Sequence, residues 1–434
     1  MRLTSFRVKS FRNILDSGDI PVESDVTCLV GKNESGKTAL LQALYRANPA
    51  RPTPFDLEDQ YPRWLLSRHR KRGVTQQARP IQVSFELDDE DVAAVNEALG
   101  ADVVTARSFT VDRDYDGKAW WSLPLNQEKA VAGALEAAQV GNELRQEIGA
   151  AKDIVELKQA AKRVVAETGG AETDRVEEAQ RLTQTLDERY GEEELFQAAS
   201  TLLGPRMPRF FYFSNYSMLP GRVDIRDVPS SADVGAADGL QTARALLELA
   251  GTDMERIEED EYEARKAELE AVSDDLTREV FEYWQQNREL ELSIDVDKET
   301  VGAGPNRTAV ARFLDIRVRD RRHGFTNNFG QRSSGFQWFF SFLAAFSEFD
   351  EQDHPVIVLL DEPALTLHGR AQADFLRFID ERLGATHQVI YTTHSPFMVE
   401  PGRLERVRVV EDRGPDEGGR FEQLFERLNA TFTP

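Results

Sequence analysis

The stretch VGKNESGKTALLQALYRA, Val30 to Ala47, decides how the rest of the chain is read. An apolar run, DVTCLV, leads into Gly31, and nine residues later Leu40, Leu41 and Leu44 take up helical spacing. Between them, Gly31 to Thr38 match G-x-x-x-x-G-K-[ST] in full, with a strand before and a helix after. Glycines let the backbone turn so that its N–H groups face an anion, and the helix N-terminus adds partial positive charge. This loop, Gly31, Asn33, Glu34, Ser35, Gly36, Lys37 and Thr38, is read as a triphosphate cradle: Lys37 reaches the β- and γ-phosphates and Thr38 ligates Mg²⁺. Glu34 stands at a variable position, where only its backbone N–H is required.

A phosphate loop calls for an acidic partner at another strand end. HPVIVLLDEP supplies it: five apolar residues deliver Asp361 and Glu362 to the carboxyl edge of a sheet, where open α/β sheets bind ligands. Asp361 is expected to hold Mg²⁺ through water, and Glu362 to act as the general base that orients the attacking water.

The bulk numbers narrow the class. A chain of 434 residues is too long for one compact core and suggests two or three lobes. No apolar stretch reaches the length of a membrane span, and the N-terminus lacks a signal-peptide core, which points to a soluble cytoplasmic protein with no membrane partner. The single cysteine, Cys28, excludes an internal disulfide framework. The net charge of −23 argues against a uniformly basic nucleic-acid coat. The acid is concentrated, however: fourteen Asp/Glu against five Lys/Arg lie between Gly251 and Leu290, and nine against three between Ala171 and Ser200.

Along the chain, LTSFRVKSF and IPVESDVTCLVG read as strands, IQVSFELDDEDVAAVNEAL as strand then helix, and SFTVDRDYDGKAWWSL as a hairpin turning at Asp-Gly. Helical composition runs from about Asn126 to Leu203, broken at Gly169–Gly170, and again from about Asp238 to Arg288, where Leu269, Val272, Leu276, Val280 and Trp284 form an apolar stripe. PRFFYFSNY returns to strand between the two. The expected fold is α/β, a mostly parallel sheet with an antiparallel β subdomain and inserted, short coiled-coil-like helical arms. Its domains are an N-terminal lobe over 1–125, a largely helical arm and dimerisation region over 126–290 with a strand-like return near 208–216, and a C-terminal lobe over 291–434.

At this point the sequence resembles a known group. FRVKSFRNI, GKNESGKT, QRSSGFQWFFSF, LLDEPALTLH and TTHSPFMV together are similar to ATPases of the ABC/SMC type, and more narrowly to the ATPase part of the OLD (overcoming lysogenization defect) family and its RecF-like, AAA-type relatives of anti-phage systems. The resemblance implies an ATP- and Mg²⁺-dependent head. It implies that Ser334 and Gly335, in the signature RSSGFQWFF, contact the γ-phosphate held by an opposite subunit, and that His394 senses the same phosphate. The nucleotide is therefore expected between two copies, in a homodimer or a larger oligomer. The signature departs from the transporter form LSGGQ, with Ser333 for Leu and Phe336 for the second Gly. Full OLD proteins carry a Toprim nuclease after the ATPase; 40 residues follow His394 here, so either a separate effector protein, Toprim or another nuclease, is the expected partner, or the sequence is a truncation of a longer Toprim-containing protein.

Two basic clusters remain, Arg68, Arg70, Lys71 and Arg72 in WLLSRHRKRG, and Arg317 and Arg319 in IRVRDRRHG. Each is either a DNA-phosphate contact or a solvated surface. His368 and His394 lack the further ligands a metal pair would need. Three functions follow: an ATPase coupled to DNA or an effector in defence or repair, an ATP-binding scaffold or sensor that holds and releases an effector with little turnover, and a transporter ATPase subunit, which the helical insertions disfavour.

Overall fold

The structure is a computed structural model, and it describes residues 1–167, 174–229, 238–249, 262–283, 289–302, 308–350, 355–412, 414 and 419–423. The strands are β1 Arg2–Phe11, β2 Ile14–Asp16, β3 Ile20–Pro21, β4 Val26–Val30, β5 Ile81–Glu86, β6 Ser108–Arg113, β7 Ala119–Ser122 and β8 Arg209–Phe213. They continue with β9 Arg222–Asp224, β10 Leu290–Gly302, β11 Thr308–Asp320, β12 Phe325–Asn328, β13 Val356–Leu360, β14 Gln388–Thr393, β15 Val407–Asp412 and β16 Gly419–Gln423. The chain divides into two compact units. One comprises Met1–Phe6, Gln82–Arg113 and Lys118–Pro208; the other comprises Arg7–Ile81, Asp114–Gly117 and Arg209–Pro434.

In the first unit the start of β1 is followed in the sheet by β5, β6 and β7. The alternation in QVSFE buries Val83 and Phe85 on one face, as a half-buried strand requires. Trp121 stacks on Phe109 with ring centroids 5.5 Å apart, while Trp120 remains exposed. The helix Asp89–Leu99 starts at a capping box of Asp88 and Asp91. Helices Ile154–Glu167 and Asp174–Tyr190 pack together through Leu157, Ala161, Val164, Ala179, Leu182 and Leu186, three or four residues apart and buried. The Gly169–Gly170 break between them lies outside the described residues.

The second unit holds a sheet in the order β16-β15-β4-β14-β13-β8. All neighbours from β15 to β8 are parallel, and β16 joins antiparallel to β15. VTCLV and VIVLL are near-continuous apolar runs because both faces of a parallel sheet are covered. The helix Ser334–Asp350 covers one face: Trp338, Phe342, Phe346 and Phe349 meet Phe211 and Phe213 of β8 at ring-centroid distances of 5.0–6.3 Å. A second, antiparallel sheet runs β10-β11-β12, with β9 on β11. The helix Tyr262–Tyr283 lies on β10 and buries Leu269, Val272, Leu276 and Val280; Trp284 of the same stripe lies outside the described residues. The expected α/β class, a mostly parallel sheet beside an antiparallel one, is what forms. Among the described residues no helix is long and apolar enough to cross a membrane.

Candidate nucleotide site

The site assembles at the carboxyl edge of the parallel sheet, from strands that sequence distance keeps far apart. β4 is hydrogen-bonded on one side to β14 and on the other to β15, and β13 lies beyond β14. The ends of β4, β13 and β14 therefore bring Gly31, Asp361 and His394 to one edge.

The loop after β4 is tightly wound. Gly36 has φ +101° and Glu34 has φ +65°, the left-handed region that L-residues other than Asn and Asp seldom enter. A Cβ on Gly31 would stand 2.4 Å from the Val410 carbonyl oxygen and 2.7 Å from Ser35 Oγ, so only glycine fits there. The helix Lys37–Tyr45 starts directly from this loop and buries Leu40, Leu41 and Leu44, which fixes its positive end on the site. Lys37 is 5 % exposed; its Nζ donates to the Gly31 and Lys32 carbonyls, both at 3.0 Å, and lies 3.3 Å from Glu362 Oε1.

Asp361 is held on both oxygens. Thr38 Oγ1 and Thr392 Oγ1 donate to Oδ1 at 3.0 and 2.7 Å, and Tyr212 donates its phenolic hydrogen to Oδ2 at 2.9 Å. Thr392 Oγ1 in turn accepts the Glu362 backbone N–H at 2.8 Å. Glu362 itself sits at φ +48° and Ala364 at +57°, so the backbone turns sharply on either side of Pro363. His394 Nδ1 pairs with Glu362 Oε2 at 2.8 Å. Ser395 Oγ donates to Gln372 Oε1 at 2.7 Å, and Gln372 donates to the Ala364 carbonyl, tying the β14 loop to the loop after β13. These bonds open onto a cleft of about 570 Å³ lined by Arg12, Asn13, Asn33, Glu34, Gly36, Lys37, Thr38, Ala39, Glu362 and Asp412. The opposed Thr38 and Asp361 oxygens, 3.0 Å apart, form a hard-oxygen pair, a donor set that suits Mg²⁺.

The predicted residues thus fall into three places. Lys37, Thr38, Asp361, Glu362 and His394 are linked by direct contacts, with Asn33, Glu34 and Gly36 on the same cleft. Ser35 lies inside the loop, its buried hydroxyl without a hydrogen-bond partner among the described residues. Ser334 and Gly335 are elsewhere: they begin the helix Ser334–Asp350, and a Cβ on Gly335 would lie 1.9 Å from Leu367 Cδ2, so the signature packs against the loop after β13. The basic residues are apart again. The helix Arg63–Lys71 is half-buried at Leu65, Leu66 and His69 and exposed at Arg68, Arg70 and Lys71, and Arg70 pairs with Glu58. On β11, Ile316 and Val318 point inward while Arg317 and Arg319 point out; Arg317 donates to Asp315. Among the described residues no group of three or more His, Cys, Asp and Glu forms a metal cluster; His368 stands at the N-cap position of the helix Gly369–Phe378, with no capping bond from its side chain.

Sequence reasoning missed Tyr212, Thr392, Arg12, Asn13 and Asp412. Thr392 and Asn13 stand inside quoted motifs, TTHSPFMV and FRVKSFRNI. Tyr212 is visible only once β8 is known to flank β13, and Asp412 only once β15 is known to flank β4.

Comparison with known proteins agrees with this geometry. Residues 1–91 match the family described as "AAA ATPase domain". Residues 236–400 match the family described as "AAA domain, putative AbiEii toxin, Type IV TA system". Both motif-bearing ends of the chain therefore match AAA-type ATPase domains. A curated relative, the uncharacterized protein MJECL43 of Methanocaldococcus jannaschii, is 31 % identical over 83 residues, 18 % of this chain; the match spans 21 % of that protein's length. Among solved structures, an Smc head bound to the C-terminal winged-helix domain of ScpA aligns over 99 % of this chain and 100 % of its own, with 13 % identity and a TM-score of 0.45. The SMC head domain of Thermotoga maritima aligns over 98 % and 99 %, with 13 % identity and a TM-score of 0.39.

Proposed function

We propose that the chain is a Mg²⁺-dependent ATPase of the SMC/OLD type that dimerises around ATP and couples nucleotide binding and hydrolysis to DNA or to a separate effector nuclease, in anti-phage defence or DNA repair. The observation that carries the reading is a cleft lined by Lys37, Thr38 and Glu362, with Asp361 bonded to Thr38 and His394 bonded to Glu362 beside it. In it the loop N–H groups and Lys37 bind the phosphates. Thr38 and Asp361 would hold Mg²⁺, which would neutralise phosphate oxygens when bound. Glu362, with one oxygen already engaged by His394, takes the proton of the attacking water and is kept in register by the Thr392 hydroxyl on its backbone N–H. Ser334 and Gly335 lie outside the cleft of their own chain, which supports their use on the nucleotide of a second copy. Arg68, Arg70, Lys71, Arg72, Arg317 and Arg319 are the candidate DNA contacts.

A second reading, an ATP-held scaffold that turns over slowly, draws on the Lys37–Glu362 pair, because the base and the phosphate-binding lysine neutralise each other until a nucleotide separates them. Steady-state phosphate release by the wild type and Glu362→Gln decides. A wild-type rate at least tenfold above the variant supports the ATPase; equal slow rates support the scaffold.

A further inference from the structure

We infer that Tyr212 sets the metal preference of the nucleotide site by holding one oxygen of Asp361 out of the metal's reach. The inference rests on the proposed nucleotide reading and adds to it a positioning residue that belongs to none of the motifs.

The register explains why a tyrosine reaches this aspartate. β8 and β13 are parallel, with Tyr212 opposite Leu359 and Phe213 opposite Leu360; the Asp361 N–H then donates to the Phe213 carbonyl at 2.9 Å, extending the ladder one residue past β13. Side chains alternate along each strand, so Tyr212, Leu359 and Asp361 share one sheet face, and Tyr212 and Asp361 are diagonal neighbours on it. Phe211 and Phe213 use the other face and pack under the helix Ser334–Asp350. The FFYF run thus divides its work: two phenylalanines anchor the strand, and the tyrosine between them serves the site. The Tyr212 ring is steadied by Tyr45, from the helix that begins at Lys37, with centroids 5.5 Å apart.

The consequence is chemical. Asp361 is only 8 % exposed; Oδ2 is occupied by the phenol, while Oδ1 accepts from Thr392 Oγ1 at 2.7 Å and from Thr38 Oγ1, the proposed metal ligand, at 3.0 Å. A carboxylate held this way offers one oxygen, directly or through a water. That suits Mg²⁺, which demands near-octahedral geometry and uses few carboxylate oxygens; Ca²⁺ readily takes both oxygens of one carboxylate at longer distances. Second-shell bonds of this kind typically change metal affinity by roughly 10–100-fold when removed.

The test is equilibrium binding of a fluorescent, non-hydrolysable ATP analogue to the full chain and to Tyr212→Phe, in EDTA and in rising MgCl₂ or CaCl₂, with melting curves of both proteins. Phenylalanine keeps the ring contact with Tyr45 and removes only the hydroxyl. The expected result is unchanged affinity in EDTA, a Mg²⁺ half-saturation point raised roughly tenfold or more, and a Ca²⁺ half-saturation point that is unchanged or lower. Superimposable Mg²⁺ curves would overturn the inference and leave the nucleotide reading standing. Equal rises for Mg²⁺ and Ca²⁺, with a lowered melting temperature, would reduce Tyr212 to a packing residue and overturn it as well. No analogue binding by the wild type under any condition would bring down the nucleotide reading, and this inference with it.

Discussion

Replacing Glu362 by glutamine should loosen the empty protein and tighten its hold on ATP, by amounts that match. Lys37 Nζ lies 3.3 Å from Glu362 Oε1. At that distance two unit charges attract by about 5 kcal/mol at an effective dielectric near 20 and by about 1.3 kcal/mol in water. Glu362 is 19 % exposed and opens onto the cleft, whereas Lys37 is 5 % exposed and keeps two carbonyl acceptors after the substitution. The charge is therefore not orphaned, and the net loss lies near the lower figure, about 1–2 kcal/mol. To reach a phosphate Lys37 must leave Glu362, so the same energy opposes nucleotide binding in the wild type. Glu362→Gln should then bind a non-hydrolysable ATP analogue about 5–30-fold more tightly in EDTA, at about 1.4 kcal/mol per tenfold. Its nucleotide-free form should melt lower, by about 2–4 °C for each kcal/mol in a domain of 150–250 residues. Glutamine inherits the same positive φ, so backbone strain is equal in the two proteins. Calorimetric titration and scanning of the same preparations measure both halves. Tighter binding with an unchanged melting point would refute the reasoning, because relief of charge repulsion against the phosphates would explain that result without any Lys37–Glu362 latch.

Other outcomes follow from the same structure. Gly31→Ala should destabilise the protein by about 1–3 kcal/mol, as overpacking does, and abolish analogue binding, since the new methyl would press on the Val410 carbonyl and Ser35 Oγ; urea denaturation and the binding assay check the two halves. Burial pushes the Cys28 thiol up to about 12, against a smaller opposing hydrogen bond with Tyr391, so iodoacetamide at pH 8 should label it only after unfolding. Around Asp25, burial raises the carboxyl pKa, but the Arg406 guanidinium and the Val26 N–H outweigh it and hold it below its ordinary value of 3.8. Its contribution to stability is then complete above about pH 3.8 and lost as pH falls through the lowered native value; urea midpoints compared between pH 5 and pH 3 should fall less in Arg406→Met than in wild type.

Much of this was legible before any coordinates. The phosphate loop, the Asp361–Glu362 strand end and His394 are each local: a strand, a tight turn and a chemical group lie within ten residues, and the apolar runs declare the strands that carry them. The buried stripe of Leu269, Val272, Leu276 and Val280 was equally plain from its period. What sequence could not supply was adjacency between strands. The bond from Tyr212 to Asp361 spans 149 positions and depends on β8 being the neighbour of β13 in one register. The Lys37–Glu362 pair needs β4 and β13 placed two strands apart in the sheet. Neither fact leaves a trace in local spacing. The positive φ values at Glu362 and Ala364 were hidden for another reason: neither residue is a glycine, and nothing in their type announces a left-handed backbone.

The strand order also bears on how the protein is made. β4, which carries the phosphate loop, has as its two neighbours β14 and β15, which begin at Gln388 and Val407. At about 5–20 residues per second a ribosome needs about 20–70 s to go from the loop to those strands. Through that interval VTCLV has neither hydrogen-bonded partner, an apolar edge of the kind that invites misplaced pairing. The segments of the first unit end by Pro208, so it can close while the second is still being synthesised. The nucleotide pocket is thus among the last features to be completed during synthesis, and ATP can reward folding only at its end.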